Sequence, residues 1–377
     1  MKKYLTAIVI SLLLIRCGGD DATFTVEVID GVRHVHNHTP QWGNEPKVKL
    51  EFVQKIGELE GEDENYLFYH PGSVVRDSSG NIYVVDTGNC RIQVFNENGV
   101  YLKTIGRKGQ GPGEFELPRN LFFHSDGNLY VGEPNYSRII VLSPEGKEIR
   151  RINLDNRHDI VRFMRSGRMV MPADVSEMLE SQVMVEDAPL ASLLDVDGSL
   201  LKEFGHTQNF DDVNIYIYAN LCDFALDSGD NIYLTMFFQN RIEKYTPGGD
   251  MVFHADRVIN FEPKYGLDNR QIEAGGQTFN IPVMHFTLVS WGIAIDPDDR
   301  VWVRSYKKET EFTIPRELDE EDDVSDYLEF QLYDTDGVWL DSVPAPQEGS
   351  PVIIGDRLFL VDTDMEMCVY EYKIVEK

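Results

Sequence analysis

Apolar positions along this chain fall into short runs separated by tight polar turns. The stretch NIYVVDTGNCRIQVFNENGVYLKTIG, residues 81–106, sets the pattern. Its runs carry β-branched and aromatic residues, and its turns carry Asp, Asn and Gly. The spacing predicts strands of about five residues and leaves no room for a helix. Asn and Gly supply the positive φ angles that tight hairpins require.

The pattern recurs. SVVRDSSGNIYVVDTGNCRIQVFNENGVYLKTIG begins at Ser73, and NLFFHSDGNLYVGEPNYSRIIVLSPEGKEIRRIN begins at Asn120 and aligns with it without a gap. Further copies begin at Asp223 (DFALDSGDNIYLTMFFQNRIEKYTPGGD), Gly292 (GIAIDPDDRVWVRSY, resuming after an insert as YLEFQLYDTDGVWLDSV) and, more weakly, Ile160. A sixth copy, from Pro351, has three strands before the chain ends. Residues 46–56, KVKLEFVQKIG, match the fourth-strand pattern GVYLKTIG and are expected to complete it. A four-stranded unit of roughly 40–50 residues cannot bury both faces alone, so its copies stack in a ring. The expected fold is all-β: a six-bladed β-propeller of four-stranded antiparallel blades, closed by an N-terminal strand in the C-terminal blade.

The segment YVVDTGNCRIQVFNENGVYLKTIGRKGQGPGEF resembles the NHL-repeat family of six-bladed β-propellers. The likeness runs roughly over residues 46–375 and is strongest in the first, second and fourth copies. It implies the fold firmly and the function loosely. Members of that family include bacterial lipoproteins, protein- or RNA-binding modules, and a few lyases and lactonase-like hydrolases.

The ends and the charge narrow these options. MKKYLTAIVISLLLIRC opens with Lys2 and Lys3 and an apolar run from Tyr4 to Ile15, which is too short to span a bilayer. Cys17 follows directly, as in a bacterial lipoprotein signal, although Arg16 stands where a small residue is usual. The organisation expected is a signal at 1–17 lipidated at Cys17, an extension at 18–45 and a propeller at 46–377. That predicts an exported, membrane-anchored chain in the cell envelope. A net charge of −29 speaks against nucleic acid, which needs clustered Lys and Arg. Cys90, Cys222 and Cys368 are too widely spaced for a local metal clip and are expected to be small buried thiols.

Candidate chemistry gathers on one face. In a propeller the first strand of each blade lines the channel, and the loops between second and third strands share a face with the inter-blade loops. The long connections, 173–190, 205–219, 259–289 and 307–326, all belong to that face. The candidate ligand-binding residues there are His70, Arg119, Glu133, His158, Asn220 and Trp291, with Asp86, Asp174, Gln239 and Asp362 at the ends of second strands. The set suits a protein, peptide or glycan ligand, with Trp291 as a stacking surface. No catalytic residue is assigned and no cofactor is expected. The resemblance leaves a metal-dependent lyase or lactonase-like alternative. Zinc would take His70, His158 and His285, and calcium would take Glu133 with Asn220. An envelope scaffold without a small ligand is the third reading. RHVHNH, residues 33–38, places His34, His36 and His38 on one strand face, either as zinc or copper ligands or as part of a packed strand. The acidic run at 318–326 reads as a solvated lid, not a calcium loop. There is no phosphate loop before a helix and no Gly-x-Ser-x-Gly elbow.

Overall fold

The computed structural model describes residues 22–43, 45–154, 160–274, 277–314 and 324–377. Within these, six antiparallel four-stranded units stand around a common axis. Blade one is Pro71–Arg76, Ile82–Asp86, Arg91–Phe95 and Tyr101–Ile105. Blade two spans Asn120–Phe123 to Glu148–Asn153, blade three Arg162–Phe163 to Leu200–Phe204, and blade four Cys222–Leu226 to Met251–Asp256. Blade five is Ser290–Ile295, Val301–Tyr306, Leu328–Tyr333 and Trp339–Pro344. Blade six is Ser350–Ile354, Arg357–Asp362 and Cys368–Glu376, with Val48–Ile56 as its outer strand. That last strand pairs antiparallel with Cys368–Glu376 from Val48↔Glu376 to Ile56↔Val369, so the ring closes as the repeat count requires. The fold is a six-bladed β-propeller.

The same turn chemistry builds most blades. Asp77 accepts hydrogen bonds from the amides of Ser79 and Asn81, each at 2.9 Å, and Asp227 and Asp296 repeat the geometry in blades four and five. An aromatic in the following strand closes on the same carboxylate. Tyr83, Tyr130 and Tyr233 donate hydroxyls at 3.3 Å to Asp77, Asp126 and Asp227, and the Trp302 indole N–H donates to Asp296 at 2.8 Å. A short polar side chain that satisfies its own turn is why Asp recurs there.

Both faces of the inner strands are buried, which accounts for their near-continuous apolar runs. Six apolar clusters lie at the six blade junctions, and those between blades four and five and between five and six also take in added segments, through Val35 and Phe286 respectively. The junction of blades six and one, for instance, packs Ile56, Phe359, Val361 and Val369 against Val74, Ile82, Val84 and Phe95. Burying side chains such as Val48 and Ile56, each 1% exposed, stabilises the closing strand by about 1.5–3 kcal/mol apiece.

Three additions break the symmetry. Phe24–Ile29 and Val32–Asn37 form a hairpin whose second strand pairs in parallel with Met251–Asp256, extending blade four to six strands. Residues 257–289 send out the hairpin Tyr265–Ala274 and Gln277–Thr287, to which Glu311–Ile314 adds a third strand. Short helices, Ser176–Ser181 and Val213–Ala219, occupy the long connections of blades three and four. The last two additions confirm that the loop-rich face carries the elaboration. The three described cysteines, Cys90, Cys222 and Cys368, are buried free thiols. Among the described residues no helix is long and apolar enough to cross a membrane.

Candidate functional site

A cavity of about 1330 Å³ follows the axis and opens among the inter-blade loops. Its shaft is apolar, walled by inner-strand residues such as Val74, Phe163, Phe224, Ile293 and Val352. Its mouth is mixed. Of the expected site residues, His70, Arg119, Asn220 and Trp291 line it and Glu133 does not. His158 and Cys17 lie outside the described residues, as do 318–323 of the acidic run.

His70 stands at the junction of blades six and one with a left-handed φ of 51°. Its ring packs on Tyr69 with centroids 4.5 Å apart, and its Nδ1 donates to the Thr363 carbonyl at 3.1 Å. Trp291, at the start of blade five, stacks on Phe237 of blade four at 4.5 Å and 16°, with Phe312 behind at 5.6 Å. Both Phe237 and Trp291 face the cavity. The wall is therefore a pair of stacked rings, not a lone indole.

The polar residues at the ends of second strands have another task. Asp86 is fully buried and accepts from the Tyr69 amide (2.8 Å), the Asn89 side chain (2.9 Å) and Arg91 Nε (2.7 Å). Glu133, one blade on and equally buried, accepts from the amides of Glu116 (2.5 Å) and Leu117 (2.8 Å) and from Arg138 Nε (2.7 Å). Each carboxylate thus latches the preceding inter-blade loop to its blade. In blade four Gln239 donates to the Ala219 carbonyl and to Asn220, whose amide is bonded to Gln208 and Tyr216. Asp362 folds back onto the amides of Asp364 and Met365. Glu133 is accordingly corrected from ligand contact to latch, because its oxygens are already filled by buried donors. Asn220 lines the cavity, but its side chain is likewise committed.

Among the described residues the members of the two metal sets are not brought together, and His158 of the zinc set lies outside them. His285 lies on the projecting hairpin, bonded to Glu311 at 2.6 Å and 3.5 Å from Asp268, away from the axis. Glu133 and Asn220 sit in different blades and hold protein groups. Among the described residues no three His, Cys, Asp or Glu side chains are arranged to hold an ion. The RHVHNH strand packs on blade four: His34 stacks on His254 at 5.2 Å, and His36 bridges Asp256 (2.5 Å) and Glu27 (3.1 Å). Cys90 and Cys222 border the cavity, but burial pushes both thiols up, which disfavours a reactive thiolate.

The structure adds residues that the repeat pattern did not single out. Thr87 and Lys108 line the wall between blades one and two, beside Arg119 and Asn120, which the repeat alignment does place there, and Arg162 pairs with Asp223 at 2.7 Å between blades three and four. Phe237 did carry a signal. Its copy reads LTMFFQ where blade one reads VVDTGN, so aromatics replace the small polar turn.

A family model described as DUF5128, 6-bladed beta-propeller, matches residues 52–168. No curated protein matches. Among solved structures, a Bacteroides fragilis NCTC 9343 protein provisionally described as exported has a TM-score of 0.52 at 10% identity, covering 91% of this chain and 98% of that one. Virginiamycin B lyase from Staphylococcus aureus scores 0.45 at 12% identity, covering 87% and 100%. A gluconolactonase from Xanthomonas campestris scores 0.47 at 12% identity, covering 89% and 97%. At 10% identity the likeness to the Bacteroides fragilis protein speaks to the fold alone.

Proposed function

We propose that this chain is an exported, lipid-anchored propeller of the NHL-repeat type that binds a ligand in its axial cavity. The observation that carries the reading is the cavity itself: an apolar shaft, a stacked aromatic pair at the mouth, and polar groups converging from several blades. Two of the three additions to the ring, the outgoing hairpin and the short helices, lie in the loops around that mouth and support it, because binding surfaces are commonly built on loops held by a rigid scaffold. The signal-like N-terminus supports export and anchoring. The latches add rigidity, so a ligand meets a preformed site.

The test is ligand-dependent melting of the full-length chain across peptide, glycan and small-metabolite panels. Compounds that raise the melting temperature should lose their effect on Phe237→Ala, which removes one ring of the aromatic wall, and keep it on Val100→Ala, on the opposite face. Hits indifferent to Phe237→Ala would place binding elsewhere and overturn the reading.

A further inference from the structure

The cavity mouth has two unlike walls across the axis. In a six-membered ring the junction of blades one and two stands opposite the junction of blades four and five. The second junction holds the Phe237–Trp291 stack. The first holds Thr87 and Asn120. Thr87 is only 5% exposed, yet among the described residues its hydroxyl has no hydrogen-bond partner, and neither has the buried side-chain oxygen of Asn120. Buried polar atoms are ordinarily satisfied, so two open ones beside a cavity mark a place for a polar group of a ligand. Gly72 keeps that place clear. A Cβ there would meet the Thr87 hydroxyl at 2.7 Å and the Arg119 carbonyl at 2.8 Å.

The charges around the mouth are spent within the chain. Arg162 pairs with Asp223 at 2.7 Å, and Glu116 accepts from Arg138 at 2.9 Å and from the Gln110 side-chain amide at 2.7 Å. Arg119 and Asp364 are each engaged by a neighbour. Lys108 is exposed at the rim, where a single ion pair adds little. Below the rim the shaft is apolar, and the two charges that line it, Arg162 and Asp223, already hold each other. An ion drawn into the shaft would lose its water without gaining a counter-charge, a loss that an exposed lysine does not offset. An uncharged molecule avoids that loss. Its hydroxyl can donate to the Asn120 oxygen while accepting from the Thr87 hydroxyl.

We propose that the cavity selects an uncharged aromatic alcohol, with its hydroxyl held by Thr87 and Asn120 and its ring against Phe237 and Trp291. This rests on the axial-site reading above and names its ligand class. Ring packing supplies contact at one end, and two hydrogen bonds fix the other. The apolar shaft takes up the body of the molecule between them, and exclusion of ions supplies the selectivity. At about 1330 Å³ the cavity has room for such a molecule to span the axis.

The probes are phenylpentanol, phenylpentanoate and phenylpentylamine, each with its ring and its polar group at opposite ends of the same chain. They share a length and differ in charge, and are titrated calorimetrically near neutral pH into the full-length chain. The alcohol should bind at least about ten-fold tighter than either ion. Phe237→Ala should weaken the alcohol about ten-fold. Thr87→Val should weaken it about five-fold, the worth of one hydrogen bond. That variant should melt like the native chain, because the hydroxyl has no protein partner to lose. An acid or amine that binds as tightly as the alcohol, and is weakened by Phe237→Ala, would overturn the uncharged assignment and leave the axial site standing. Unchanged alcohol affinity in Thr87→Val would overturn the placement of the hydroxyl, and the proposal with it. No binding of any probe to cooperatively melting protein would overturn the proposal as well, and the panel hits would then judge the axial site separately.

Discussion

Asp86 and Glu133 show how one buried carboxylate serves a whole blade junction. Each accepts two or more backbone or amide donors and an arginine from the next strand, so its negative charge is solvated by the protein. Removing one partner of such a set leaves buried donors unsatisfied. Glu133→Ala is expected to destabilise the fold by about 3 kcal/mol in urea titrations, and Glu133→Gln by about half as much. Ligand affinity of the folded fraction should be unchanged. A Glu133→Ala protein of native stability with lost binding would return Glu133 to the site. The repeat alignment made these positions conspicuous because polar residues sat at equivalent places near the axis. It could not show which way their oxygens pointed, and that depends on the path of the loops between blades. Arg91 and Arg138, five residues beyond the carboxylates, were the readable clue, since each opens a third strand directly opposite its carboxylate and lies within reach of the latch.

At the scale of elements, the alternation of RHVHNH was legible and its partner was not. A period of two places His34 and His36 on one face, but only the parallel register brings them opposite His254 and Asp256 of a strand more than two hundred residues away. The groups facing His36 are Glu27 on its own hairpin and Asp256 on blade four; His34 and His254 lie beside it, and Glu243 lies 4.0 Å behind His254. Burial opposes protonation of His36, but hydrogen bonds to Asp256 and Glu27 outweigh it and raise its pKa above 6.5. Burial and the neighbouring His254 lower that of His34. The signs are opposite. A raised folded pKa contributes stability that is complete below 6.5 and is lost as pH rises through the folded value, whereas His34 weakens docking as it is forced to protonate in acid. The hairpin should therefore hold blade four best near neutrality. On the alkaline side the loss should be about 0.5–1 kcal/mol, since the pair is about one-third exposed and screened. Hydrogen exchange of the hairpin amides should show protection that is greatest near 6.5 and declines as pH rises from there in the native chain. His36→Gln should flatten that decline. Unchanged pH dependence in the variant would remove His36 from the account.

For the whole molecule, the ring was readable because propeller blades are local in sequence and their strands follow one another. The additions were not, because nothing in FTVEVIDGVRHVHNH names blade four as its neighbour. Their path has a consequence for orientation. Asn37 accepts from the Trp339 amide and donates to the Gly337 carbonyl, and the amides of Gln41 and Trp42 donate to Trp339 and Leu340. Trp42 lies under Lys47 and Arg300, and the Lys377 amide donates to Lys47. The turns at 296–300 and 334–338 both belong to the face opposite the cavity mouth. The Thr23 carbonyl accepts from His38 and Thr39, which pins the start of the described chain to that same side. Six residue steps separate Thr23 from Cys17, an extended reach of about 20 Å. A lipid on Cys17 would therefore hold the short-turn side near the bilayer and turn the mouth toward the aqueous phase. With the acylated full-length chain in vesicles containing brominated lipid, a fluorophore at Asp298→Cys should be quenched several-fold more than one at Val183→Cys beside the mouth. Labelling is selective because the three described native thiols are buried. Equal quenching, or the reverse order, would mean that the disc lies on its loop face, and an unacylated Cys17 in the intact mass would remove the anchor on which the orientation depends.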